Sequence, residues 1–251
     1  MQPIKLLRGD TLVEVLFSIT VFAIVAVITI NLMNNGIYTA QKSLEITMAR
    51  NEIDAQAEAL RFIHTNYLAE RNFADNQYRD LWETVIKYAR APSYNLARSF
   101  NDIDNCTEAY PGTGMRTDYQ DIASLRAFIL NTRLIQPKSI VGASGTSLDD
   151  IIVNVDSARL VESPLYARII YGSSTGSSVD GKLKEQSEYR DIVVAEGIWI
   201  IAVKSEEEVN KQPEFYDFYI RTCWHSVGRR VPSTIGTIVR LYNPEIFKGQ
   251  L

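Results

Sequence analysis

The stretch Gly9-Asp10-Thr11-Leu12-Val13-Glu14, with the uncharged run Val15–Met33 behind it, decides how this chain is read. As a helix, Thr11–Met33 is roughly 35 Å long at 1.5 Å per residue, enough for a hydrocarbon core of about 30 Å. Its many β-branched residues, from Val13 and Val15 to Ile28 and Ile30, weaken helix propensity in water. In lipid an unpaired backbone amide costs far more than that, so a membrane helix is expected. One acid, Glu14, stands at its head. A carboxylate at membrane depth is unfavourable unless something specific uses it.

On the N-terminal side, Lys5 and Arg8 precede the span, and a long remainder follows it. That asymmetry sets the start of the chain in the cytoplasm and the rest outside, as a single-pass protein. A conventional secretory signal has a shorter apolar region and a small-residue cleavage site. Asn31-Leu32-Met33-Asn34-Asn35 offers no such site.

On the C-terminal side the helical period continues. Leu44, Met48, Ala55, Ala59, Ile63 and Tyr67 are taken as one apolar face. Lys42, Glu45, Arg50, Glu52, Asp54, Glu58 and Arg61 are taken as the solvated face between them. A single helix from Thr11 to Ala69 is therefore predicted, roughly 90 Å long. Asn34-Asn35-Gly36 is its weak point, because glycine costs about 1 kcal/mol in a helix.

Gln77–Arg90 carries Leu81, Trp82, Val85, Ile86 and Ala89 at helical spacing and is closed by Ala91-Pro92. Asn101–Gln120 reads as a polar loop, and Asp121–Arg133 as a short helix with Ile122, Leu125, Phe128 and Ile129 on one side. The period then becomes strand-like over Ile151–Val155, Leu165–Tyr171, Asp191–Ala202, Glu214–Trp224 and Thr237–Tyr242. Gly172–Gly181 reads as a flexible connection or hairpin tip. Helices first and strands later predict an α+β fold: a long N-terminal helix, membrane-spanning in its first half, packed against a C-terminal globular head with an antiparallel β-sheet. The segments expected are 1–9, 10–33, 34–70 and an extracytoplasmic head over 71–251.

A net charge of −4 gives no electrostatic footprint for nucleic acid in the head. The two cysteines, Cys106 and Cys223, are candidates for one disulfide in an extracytoplasmic domain, with two buried free thiols as the alternative. Closing so long a loop stabilises by about 4–5 kcal/mol in the chain-entropy model.

Gly9-Asp10-Thr11-Leu12-Val13-Glu14 before an apolar run resembles the N-terminus of the type IV prepilin and pseudopilin family. The family pattern is a short basic leader ending in Gly, a first mature residue, then Thr-Leu-x-Glu and a hydrophobic helix. The resemblance covers about the first 35 residues. It implies that a prepilin peptidase cuts between Gly9 and Asp10 and N-methylates Asp10. This position departs from the family, where most members carry Phe. Thr11, Leu12 and Glu14 fall at the family's processing and assembly positions, and Val15 to Met33 form the transmembrane stretch.

The chemistry agrees with this. Glycine at the scissile bond lets a protease cleft approach the backbone closely. Cleavage removes Lys5 and Arg8 and creates an amine, and Glu14 sits about 6 Å along the helix from it. Between packed helices in a low dielectric, the carboxylate pairs strongly with the amine of a neighbouring subunit and sets axial register. The plainer role for Glu14 is a first-turn acid favoured by the helix dipole.

Catalysis finds little to build on. Cys223-Trp224-His225 puts a thiol and an imidazole on one face of a strand, but no third orienting group is evident. His64 beside Ile63 reads as a packing or surface residue. No metal-ligand spacing occurs, and Asp102, Asp104, Asp149 and Asp150 read as loop acids. Glu206-Glu207-Glu208 reads as a solvated turn, and Phe215, Tyr216, Phe218 and Tyr219 as core plus one exposed face.

The expectation is thus a non-enzymatic minor pilin without cofactor or metal, a subunit of a surface filament for adhesion and twitching motility. Its partners would be the prepilin peptidase, other pilin subunits, the assembly platform and the membrane. A pseudopilin of a type II secretion or DNA-uptake (competence) machine shares the same N-terminal logic. A membrane-anchored adhesin or binding protein is the reading from a different class.

Overall fold

The computed structural model describes residues 10–70, 77–87, 89, 106, 127–135, 151–155, 160–161, 166–173, 191–206, 208–209, 212–226, 230–243 and 246. The chain divides into two compact units between Leu44 and Glu45. Helix α1 spans Asp10–Glu70. It runs unbroken through Asn34-Asn35-Gly36, since one glycine costs about 1 kcal/mol and a long hydrogen-bonded helix absorbs that.

The first unit holds the apolar part of α1. This is a helix long and apolar enough to cross a membrane. Its large side chains lie bare, Phe17 at 70% and Phe22 at 75% exposure. The hydroxyls of Ser18, Thr20 and Thr29 donate to the carbonyls four residues earlier, at 2.8 Å each. These three hydroxyls are thereby satisfied within the helix.

The second unit is an α+β head. Over its part of α1 the buried residues are Ala49, Ile53, Gln56, Ala57, Ala59, Leu60, Ile63 and Tyr67. This corrects the expected face: Ala59, Ile63 and Tyr67 are buried, but Leu44 and Ala55 are exposed and Met48 only half-buried. The stripe passes over a glutamine, which apolar periodicity does not register. The expected solvated face also needs correction, because Lys42, Glu45 and Glu52 are half-buried while Arg50, Asp54, Glu58 and Arg61 are exposed.

Helix α2, Gln77–Lys87, buries Tyr78, Leu81, Trp82 and Val85, and ends three residues before Arg90. Trp82 is the centre of an aromatic cluster. Its ring lies 4.9 Å from His64 and 6.2 Å from Tyr67 on α1. It lies 5.9 Å from Tyr216 and 6.1 Å from Phe218 on the sheet.

The strands are β1 (Ala127–Leu130), β2 (Ile152–Val155), β3 (Leu160–Val161), β4 (Arg168–Ser173), β5 (Asp191–Glu196), β6 (Ile198–Lys204), β7 (Glu208–Val209), β8 (Gln212–Pro213), β9 (Phe215–Trp224) and β10 (Ser233–Tyr242). The main sheet has the order β10-β9-β6-β1-β2 and is antiparallel throughout. A second sheet, β3-β5-β4, pairs β3 parallel and β4 antiparallel to β5. Strands β7 and β8 form a small hairpin.

Two expectations are overturned. Ala127–Leu130 is a strand, not part of a helix over Asp121–Arg133. All four residues are buried, and a strand covered on both faces reads as a continuous apolar run with no period of two. Asp191–Ala202 is not one strand but two, in different sheets, separated by Gly197 at φ 66°. That left-handed backbone is open to glycine at little cost. Smaller shifts are the start of β10 at Ser233 and of β4 at Arg168. Strand β4 also takes in Gly172 and Ser173 from the expected hairpin tip, while 174–181 lie outside the described residues. So do 121–126 and the expected loop over 101–120, apart from Cys106.

Candidate functional site

The candidate site is the head of α1. Asp10 is its first described residue, and Gly9 lies outside the described residues. Asp10 and Thr11 contribute backbone to the first turn. Leu12 is exposed, as are Glu14 and Val15, and Met33 at the far end of the apolar stretch is 66% exposed. The Glu14 carbonyl accepts the Ser18 hydroxyl, so the backbone is satisfied while the Glu14 side chain stands in the open. A lone acid on a bare hydrocarbon surface is the arrangement a cationic partner would seek once that surface is covered.

The cysteines are joined. Cys106 and Cys223 form a disulfide with Cα atoms 5.6 Å apart, both residues fully buried. This settles the choice between bridge and free thiols. It also removes the Cys223 thiol as a nucleophile beside His225. Among the described residues no group of three or more His, Cys, Asp or Glu is placed to hold a metal ion. Asp102, Asp104, Asp149 and Asp150 lie outside the described residues.

Three polar residues of α1 do work in the head that the sequence did not reveal. Glu45 accepts hydrogen bonds from Ser226 Oγ at 2.6 Å and Trp224 Nε1 at 3.3 Å, tying the helix to the end of β9. Gln56 donates from Nε2 to the Leu130 carbonyl and accepts from the Leu130 N–H at Oε1, both at 2.8 Å. Its carboxamide thus serves β1 as a second backbone amide would. His64 Nε2 lies 2.8 Å from the Tyr242 carbonyl, and since a carbonyl only accepts, that nitrogen carries the proton. Burial pushes the His64 pKa below its ordinary value, with the Tyr242 carbonyl pulling the other way. Burial likewise pushes the Glu52 carboxyl up, partly offset by the Ile169 N–H.

Tyr216 and Phe218 of the aromatic run are buried in the core, and Phe215 and Tyr219 are half-buried on the other face. On that face Asp217 holds Arg240 through two hydrogen bonds of 2.8 Å, and the Arg240 guanidinium lies 3.8 Å from the Phe215 ring centre. Of the three consecutive glutamates, Glu206 is an exposed bend and Glu208 begins β7, while Glu207 lies outside the described residues. Comparison with protein-family models, curated proteins and solved structures finds no match.

Proposed function

We propose that this chain is a minor-pilin-like structural subunit, cut between Gly9 and Asp10 by a prepilin peptidase and drawn from the membrane into a surface filament. One observation supports the reading. The motif's acid, Glu14, stands exposed at the head of an uncovered apolar surface on α1. Lipid covers that surface before assembly, and the helices of neighbouring subunits cover it afterwards. Glu14 pairs with the amine that cleavage creates on an adjacent subunit, and the match of charges fixes how far one helix slides past the next. The head, closed by the Cys106–Cys223 bridge, is carried to the outside.

N-terminal mass analysis of the membrane-extracted protein tests this. A start at Asp10, methylated or not, is the expected result, and an intact start at Met1 or Gln2 would refute it. Glu14→Ala is expected to leave cleavage intact and to lower incorporation into sheared filaments at least tenfold, read by immunoblot.

A further inference from the structure

The connection between β9 and β10 lies at the end of the head where α1 enters it. Glu45 is the first residue of the second unit, and its carboxylate accepts from Trp224 Nε1 and Ser226 Oγ at the end of β9. Ser226 Oγ lies 3.1 Å from Ser233 Oγ at the start of β10. Both legs of the connection are therefore pinned to Glu45. At the other end of the two strands His64 meets the Tyr242 carbonyl, so α1 runs alongside β10 in the same direction.

Among the described residues of this connection, Arg230 and Val231 are exposed, Val231 at 56%. Arg61, Arg168 and Arg240 are held in ion pairs, and Arg133 lies over the Tyr171 ring. Arg230 has neither an ion pair nor a hydrogen bond among the described residues. A phospholipid surface answers such a pair of neighbours: its phosphates accept from the guanidinium, and the apolar side chain leaves water.

We infer that Arg230 and Val231 dock on the phospholipid headgroups of the membrane that holds α1, with Arg230 on lipid phosphate. This rests on the apolar part of α1 lying in a bilayer. Chain length argues for lipid as the occupant. Twelve residues of α1 separate Met33, where the apolar run ends, from Glu45. The tie at Glu45 is thus held within roughly 18 Å of the hydrocarbon edge at 1.5 Å per residue. Headgroups fill about 5–7 Å of that distance, leaving a gap of about 11–13 Å. Arg230 lies three residues from Ser233, up to about 10 Å of extended chain, and its long side chain covers the rest. A soluble partner has to enter this space, whereas lipid already borders it. The contact belongs to the membrane form and is given up when α1 leaves the bilayer.

The test uses full-length protein labelled with a fluorophore at Val231→Cys, in vesicles of equal parts phosphatidylglycerol and phosphatidylcholine. Lipid with a nitroxide on its headgroup is expected to quench this label at least about threefold more than one at Glu206→Cys, an exposed bend at the other end of β9. Adding Arg230→Glu is expected to bring the Val231→Cys quenching down to the Glu206→Cys value. A retained Cys106–Cys223 bond reports a folded head in each variant. A label at Phe22→Cys, read with a nitroxide on the acyl chain, reports the placement of α1 by itself. If that label is quenched and the one at Val231→Cys does not exceed Glu206→Cys, the docking falls and the membrane placement stands. If neither is quenched, both fall. Quenching at Val231→Cys that Arg230→Glu leaves unchanged also overturns the docking.

Discussion

Gln56 shows how much one side chain settles. It hydrogen-bonds both backbone groups of Leu130 in a region closed to water. Replacing it by leucine leaves a buried donor and a buried acceptor unpaired, each costing about 1–3 kcal/mol. Gln56→Leu is therefore expected to destabilise the head by about 2–4 kcal/mol, measured by urea unfolding of the detergent-solubilised protein. His64 gives the residue-scale pH response. Its folded-state pKa lies below the ordinary 6.5, so the unfolded chain binds the proton more readily. Its contribution to stability is fully present above pH 6.5 and is lost as the pH falls through the folded value. Thermal melts of His64→Gln are expected to fall less steeply than wild type below that pH. Neither residue was legible beforehand: a buried polar side chain identifies itself only through its partner, and Leu130 and Tyr242 are distant in sequence.

At the scale of elements, α1 carries the clearest test. A methyl group added at Gly36 meets nothing within 4 Å. Gly36→Ala is thus expected to stabilise the helix locally by about 0.5–1 kcal/mol, seen as slower amide exchange around residues 32–40 in micelles. The sequence predicted α1 and α2 well because long amphipathic or apolar helices repeat one signal many times. It predicted β9 for the same reason, ten residues rich in aromatics. It failed at β1, where four buried residues fit a helix as well as a strand, and at Gly197, where one apolar run serves two sheets. The apolar stripe on α1 was misplaced by counting only hydrocarbon. Two-residue strands such as β3, β7 and β8 have no period to detect.

For the whole molecule, the bridge between Cys106 and Cys223 closes a sequence separation of 117 residues. Chain entropy assigns such a loop about 4–5 kcal/mol. Reduction, or Cys106→Ser with Cys223→Ser, is expected to lower unfolding stability by about that amount, read as a lower denaturation midpoint with and without reductant. The candidate site divides differently. Its motif is a pattern within one short stretch of sequence, whereas the contacts that hold the head together join residues far apart in the chain.

The last point bears on the order of events during synthesis. Glu45 waits for Ser226, Gln56 for Leu130 and His64 for Tyr242. The head portion of α1 leaves the ribosome early, yet its apolar stripe and polar hooks are answered by strands translated last. Until nearly the whole chain has been made, this helix has its inner face uncovered, a window in which a holding chaperone would find its target.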